Sequence, residues 1–441
     1  MFPPQRLDSD AKHALRLCCT AMRDAVDSRL VSLEEQVNAT VLSQTTCARL
    51  AVRSLTLRSM ACLRGMLVAQ PQPGAFFPRL QSLRLTLDVG GVMTEGATDC
   101  PAIASAAPWL TQLSLNLPDS ATALPQQMAA LLSACTKLKD LKLSSYVARY
   151  PSRLVNIIAL AAGTRLERLS LIGCFCLTNL APLSAMVHLQ SLDISGCASV
   201  SDLAPLLALV NLQSLDISDC FQVSDLAPLG LMVRMKSLDM SQCCAVSDLS
   251  PLAVLVNLQS LNISGCNAVS ALAPLAALVI LESLDMSRCY DVHDLLPLAA
   301  LVNLRSLNVS DCAHVSHLAP LAPLVKLQHL SLGGCTTVSD LSPLSTMVNL
   351  QSVAMPCTDV SNLSPLALLV ELQHLDMGWC TAVSDLAPLG SMVTLESLDL
   401  RGCRSVSDLA PIKHLAKLRS RTTVPLTLVG DLCNGAWLLG D

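Results

Sequence analysis

Apolar and polar positions along this chain keep a 23-residue period. The segment from Leu189 to Asn211, LQSLDISGCASVSDLAPLLALVN, returns with starts at Leu166, Leu189, Leu212, Met235, Leu258, Leu281, Leu304, Leu327, Leu350, Leu372 and Leu395. One residue is missing from the unit that opens at Leu350, and a partial copy opens at Leu418. Within a unit, L-x-x-L-x-I/L/M alternates apolar with polar, as at Leu192, Asp193 and Ile194, the pattern of a strand buried on one side. A Cys follows three residues later, then a Val, then D-L-x-P-L-x-x-L. The Pro there suits the start of a short helical turn, where the N–H it lacks would have no partner. One unit cannot bury its own apolar edge, whereas units stacked strand beside strand in a parallel sheet can.

Upstream the pattern loosens. Val52-x-x-Leu55-x-Leu57, Leu80-x-x-Leu83-x-Leu85, Leu110-x-x-Leu113-x-Leu115 and Leu138-x-x-Leu141-x-Leu143 are spaced by 28, 30 and 28 residues, with a further 28 to Leu166. Units of that length leave room for an α-helix behind the strand.

At the residues just quoted the array resembles the leucine-rich-repeat family. The Cys after the strand resembles the cysteine-containing subfamily, and S-D-L-A-P-L-x-x-L-V-N-L resembles the shorter internalin-type unit. The resemblance implies an α/β solenoid, a horseshoe with a parallel sheet on its concave face and short helices, 3-10 turns and loops on its convex face. The expected organisation is a helical N-terminal cap over 1–50, irregular repeats over 51–165, eleven regular repeats over 166–417, and a partial repeat with a tail over 418–441.

Residues Ser9 to Arg29 place Leu15, Cys18, Met22 and Val26 on one helical stripe, with Ser9 as N-cap, which suits a lid on the open end of the array. The same segment resembles the second half of an F-box at Leu15, Leu17, Cys19, Arg23 and Val26; the first half is absent and Met22 stands where the family has Trp. That resemblance implies a ubiquitin-ligase adaptor as partner through residues 9–29, and the alternative function of a substrate-recognition subunit.

Composition narrows the function classes. Aromatic residues are 2% of the chain against 52% hydrophobic, so the interior is built from aliphatic side chains. A net charge of −5 gives no electrostatic case for nucleic acid and permits a basic protein partner. The uncharged stretch from Leu249 to Leu281 is long enough for a membrane span, but Pro251, Gly265 and Pro274 interrupt it and its neighbours in phase carry Asp, so no membrane partner is expected. Arg6, Asp8, Asp10, Lys12 and Arg16 leave no apolar core for a signal peptide.

Eleven of the 20 Cys, from Cys174 to Cys403 and including Cys357, recur at one place in the unit. Stacked ~4.8 Å apart with parallel vectors, they do not meet the ~3.8 Å Cβ separation of a disulfide. They read as a column of buried, reduced thiols. An intracellular, cytoplasmic location follows, with nuclear, ciliary or cytoskeletal settings open.

Candidate binding residues fall into two sets. The fifth position of the unit is an acidic column of Asp193, Asp216, Asp239, Asp285, Asp376 and Asp399, interrupted by Asn262 and Asn308, which suits a basic partner. Departures from the template carry more information. His329 and His374 replace Ser at position three, Arg401 replaces Ser at position seven, and Arg288 and Trp379 occupy position eight. Trp and Arg are the residue types that most often anchor interfaces. A further group, His293, Asp294, His314, His317 and Asp340, lies on the loop side of three rungs, where a repeat makes side chains run parallel rather than converge on a metal. Phosphate loops, metalloprotease pairs and nucleophile elbows are absent. The expected function is a non-enzymatic protein-interaction scaffold without cofactor or metal; a structural part of a cytoskeletal or ciliary assembly is a second alternative.

Overall fold

The computed structural model describes residues 32–33, 54–57, 81–86, 110–117, 129, 132–145 and 156–422. The F-box-like segment at 9–29 and the tail beyond 422 lie outside them. The chain divides into two units, Met1–Val200 and Ser201–Asp441.

In the first unit, strands Ser32–Leu33 (β1), Ser54–Leu57 (β2), Ser82–Thr86 (β3), Gln112–Leu117 (β4), Asp140–Ser145 (β5), Arg168–Ile172 (β6) and Ser191–Asp193 (β7) pair in parallel, each with the next. The leucines are register partners, Leu113 with Leu141 and Leu141 with Leu169, so like stacks on like. Among the described residues β1 is the first strand, and it falls inside the 1–50 segment. Arg168 pairs with Asp140 at 2.9 Å and Lys139 with Glu167 at 2.6 Å across neighbouring rungs. Behind β5 the outer element is a 3-10 turn, Ile158–Ala162, with Leu160 buried.

In the second unit the strands shorten to three residues, from Ser214–Asp216 (β8) through Ser237–Asp239 (β9) to Ser420–Thr422 (β17), all parallel and in register. Each complete rung between these strands returns through a 3-10 turn, of which Ala227–Leu231 and Ser250–Val254 are typical. Pro stands in the first turn of each, as the missing N–H requires. The repeated Asp before the turn has a specific task. Its Oδ1 accepts the N–H two residues on, from Ala227 to Asp225 and from Ser250 to Asp248, each at 2.8 Å, covering a donor the turn leaves unpaired. Asn179 and Asn362 do the same.

Each rung buries the same columns of side chains. Leu212, Leu215, Ile217, Cys220, Val223, Leu226 and Leu229 are all excluded from water, and so are their equivalents in later rungs. The buried thiols have a cause in this packing. Cys243 Sγ donates to the Ile217 carbonyl at 3.2 Å and Cys266 Sγ to the Met240 carbonyl at 3.1 Å, one rung back, where the same oxygens also accept the N–H of Cys220 and of Cys243 at the end of the strand. Burial pushes Cys266, Cys289 and Cys312 up to about 12.

One Cys departs from the expected ladder: Cys357 is exposed. Counting from Leu350 puts it eighth and Thr358 ninth, and Thr358 takes the ladder place, buried, with Oγ1 donating to Met355 O at 3.0 Å. The missing residue of this unit is therefore in the loop between Thr358 and Val360. Among the described residues no helix is long and apolar enough to cross a membrane.

Candidate functional site

The acidic column has a structural cause. Asp216 Oδ1 accepts both the N–H and the hydroxyl of Ser218, at 2.9 and 2.6 Å, and Asp239 holds Ser241 in the same way. In the first unit Asp193 holds Ser195 and also accepts from Ser170 Oγ at 3.1 Å. Each carboxylate fixes the backbone as it leaves the strand. Like charges one rung apart repel by roughly 1 kcal/mol in water, and amides interrupt them. Asn262 Nδ2 donates to Asp239 and Asn308 Nδ2 to Asp285, both at 2.9 Å.

Toward the C-terminus this pattern breaks. Position five becomes Ser331 and Ala354, and position seven becomes Gly333, Pro356 and Gly378. Pro356 packs so that a Cβ on Gly333 would meet its ring, and the strand face here is low and nearly side-chain-free. His329 and His374 stand at its edge, in one row separated by Ser352, both exposed. On the next rung Arg401 is clamped by Asp399, Nη2 to Oδ2 at 2.7 Å and Nε to Oδ2 at 2.8 Å, while 58% of its side chain stays open to solvent. Asp399 raises the Arg401 pKa further.

Trp379 is 56% exposed and occupies a left-handed backbone position, φ 64°. Its amide donates to the Arg401 carbonyl, and its indole lies over Gly402, where a Cβ would collide with the ring. The same backbone position is Gly at 173, 196, 265, 334 and 402. Trp379 thus lies against the rung that carries Arg401, and His374 begins the strand of its own rung.

Arg288 does not join them. It pairs loosely with Asp311 at 3.5 Å, four rungs before Trp379, a separation of roughly 19 Å at ~4.8 Å per rung. Gly402 was invisible as a site residue because its role exists only across rungs, and Asp399, read as one of the acidic column, holds Arg401 two residues on in its own rung. Cys357, at position eight of the rung before Trp379, was assigned to the ladder by its residue type.

On the loop side, the His293 and His314 rings stack with centroids 4.3 Å apart. Among the described residues no three His, Cys, Asp or Glu converge as metal ligands. Trp379 presents an open aromatic plane beside the rung that holds the Arg401 guanidinium in place.

No family model matches the sequence, and no curated protein matches it. Solved structures do match by fold. An internalin (inlF) of Listeria monocytogenes is 24% identical with a TM-score of 0.61, over 73% of this chain and 89% of that one. A leucine-rich-repeat protein of Leptospira interrogans is 16% identical with a TM-score of 0.61, over 89% of this chain and all of that one. With parallel three-residue strands, 3-10 returns and buried leucine columns, the fold is a leucine-rich-repeat solenoid.

Proposed function

We propose that the chain is a non-enzymatic scaffold that binds a protein partner on its strand face, with Trp379 as anchor and Arg401 and His374 beside it. The observation that carries this is Trp379 itself. A large, exposed aromatic occupies a backbone position where Gly is favoured and where the repeat repeatedly uses Gly, so folding alone does not call for it. His329 supports the patch from two rungs away, while Arg288, four rungs off, lies outside it. Asp193 in the first unit and Asp216 and Asp239 in the second are acidic groups that attract basic surfaces and contribute less, because exposed charges are screened.

An exposed Cys357 with half-buried Cys176 and Cys244 fits a reducing, intracellular setting, where surface thiols persist. Rapid alkylation of lysed cells should trap Cys357 as the free thiol; recovery in a disulfide would place the protein elsewhere.

The test of the site is a binding comparison against the partner recovered by proximity labelling in the native cell. Trp379→Ala should weaken binding by ~2 kcal/mol or more. Asp193→Ala with Asp216→Ala should cost well under ~1 kcal/mol and depend on salt. The reverse ranking would move the site to these acidic groups.

A further inference from the structure

The face opposite the strands in the second unit carries apolar side chains that the fold leaves uncovered. The residue two places before each rung's first Leu is an exposed Val, at Val210, Val233, Val256 and Val279. Beside this column lie Leu207, Leu231 and Val254, and all seven are between 41 and 58% exposed. None has a folding task of its own. The Asn that follows some of the valines does: Asn257 Nδ2 caps the Val233 carbonyl at 2.8 Å. The valines lie in the turn that follows each 3-10 helix, where Thr would serve the geometry as well and keep the surface polar. Leu207 and Leu231 are not explained by backbone preference at all. A continuous apolar patch of this extent on a water-facing surface marks a contact.

Charge beside the stripe is one-sided. Asp202, Asp225 and Asp248 run along the edge where the 3-10 turns begin, one per rung and all exposed. Hydrogen bonds from Ser250 hold Asp248 below the usual carboxylate range. The opposite edge is Asn211, Arg234 and Asn257, without a carboxylate. An occupant therefore needs an apolar face with basic groups along one flank. An anionic membrane surface would meet the acidic row with like charge. A second copy meeting it through the same stripe would set one Arg234 against three carboxylates.

Spacing selects the form of the occupant. An α-helix advances ~5.4 Å per turn against ~4.8 Å per rung, so successive turns seat between successive rungs and drift by about half a rung over about four turns. We propose that the turn face from Ala204 to Ile280 is a second docking surface, for an amphipathic α-helix of about four turns with Lys or Arg along the flank that faces Asp202, Asp225 and Asp248. It is separate from the strand-face patch at Trp379.

The experiment uses the full chain and three synthetic peptides of about 16 residues: an amphipathic helix with Lys on one flank, the same helix with Glu there, and the Lys peptide with its apolar residues scattered. Fluorescence anisotropy should show the Lys-flank helix binding at least tenfold tighter than the other two, and weakening as salt rises. The variant L231T/V233T/V254T/V256T should lose that binding by tenfold or more with its melting temperature unchanged. D202N/D225N/D248N, which keeps the turn caps as Asn179 does, should erase the preference for Lys over Glu. Trp379→Ala should leave all of this unchanged. Equal binding of the scattered peptide would overturn the proposal, as would loss of helix binding in Trp379→Ala. Self-association or binding to phosphatidylcholine vesicles that the four-Thr variant abolishes would overturn it too, by assigning the stripe to a second copy or to lipid.

Discussion

Position eight of the repeat turns the backbone left-handed, and the residue placed there reports what each rung gives up. A non-glycine residue in that region costs on the order of 1 kcal/mol, which Asp219, Gln242, Arg288, Asp311, Cys357 and Trp379 all bear. Trp379→Gly should therefore leave stability unchanged or raise it by up to ~1 kcal/mol while abolishing partner binding. A drop in stability of more than ~2 kcal/mol would make the indole a structural residue instead. Thiol reactivity separates position eight from position nine. With Cys266, Cys289 and Cys312 raised to about 12, almost none is thiolate near neutral pH, and burial blocks access. Peptide mapping after mild alkylation of the folded protein should find Cys357 modified and these three intact until denaturant is added. Labelling of the three in the native state would contradict the ladder.

The 3-10 turn is the element whose start the repeated Asp or Asn secures, and two rungs have neither there. Ala271 offers no side-chain oxygen, and His317 replaces the Asp elsewhere. Ala271→Asp should raise stability by about 0.5–1 kcal/mol, the usual worth of a cap; no gain in chemical denaturation would show that the turn is held by its neighbours alone. Where the Asp is present, its hydrogen bonds set the pH response. Asp248 and Asp340 are depressed, mainly by hydrogen bonds from Ser250 and Ser342. A depressed folded pKa contributes stability above the unfolded value, near 3.9, and loses it as pH falls through the folded value. Asp248→Asn with Asp340→Asn should therefore be neutral at pH 7 and show a shallower loss on acidification below pH 4. A steeper loss in the double variant would overturn this sign.

Across the molecule, stability in a stacked array is a sum of rungs and their nearest-neighbour contacts. Leu321, Leu324 and Leu327 are fully buried, whereas Leu409, Leu415 and Leu418 reach 7, 4 and 7% exposure near the end of the described array. Hydrogen exchange should protect residues 321–327 strongly and 409–418 weakly; uniform protection through 418 would contradict a fraying end. The Leu spacing made the array legible from the chain alone, because register stacks identical residues and the period survives any surface change. The exposed place of Cys357 was legible too, by counting from Leu350, but residue type outweighed the count. What the one-dimensional pattern could not hold is what happens between rungs: Trp379 covering Gly402, and the bare floor at Gly333, Ala354 and Pro356. Arg288 was grouped with Trp379 because both fill position eight, although four rungs of sheet separate them.

A photo-crosslinking amino acid placed in turn at position three of each rung, from Ser214 through His374 to Ser397, reads the binding face directly in the presence of the partner. Adducts concentrated at 374 and 397, and absent at 214 and 237, are the result expected if Trp379 anchors the partner. Adducts concentrated at 214 and 237, or absent from the whole strand face, would contradict it.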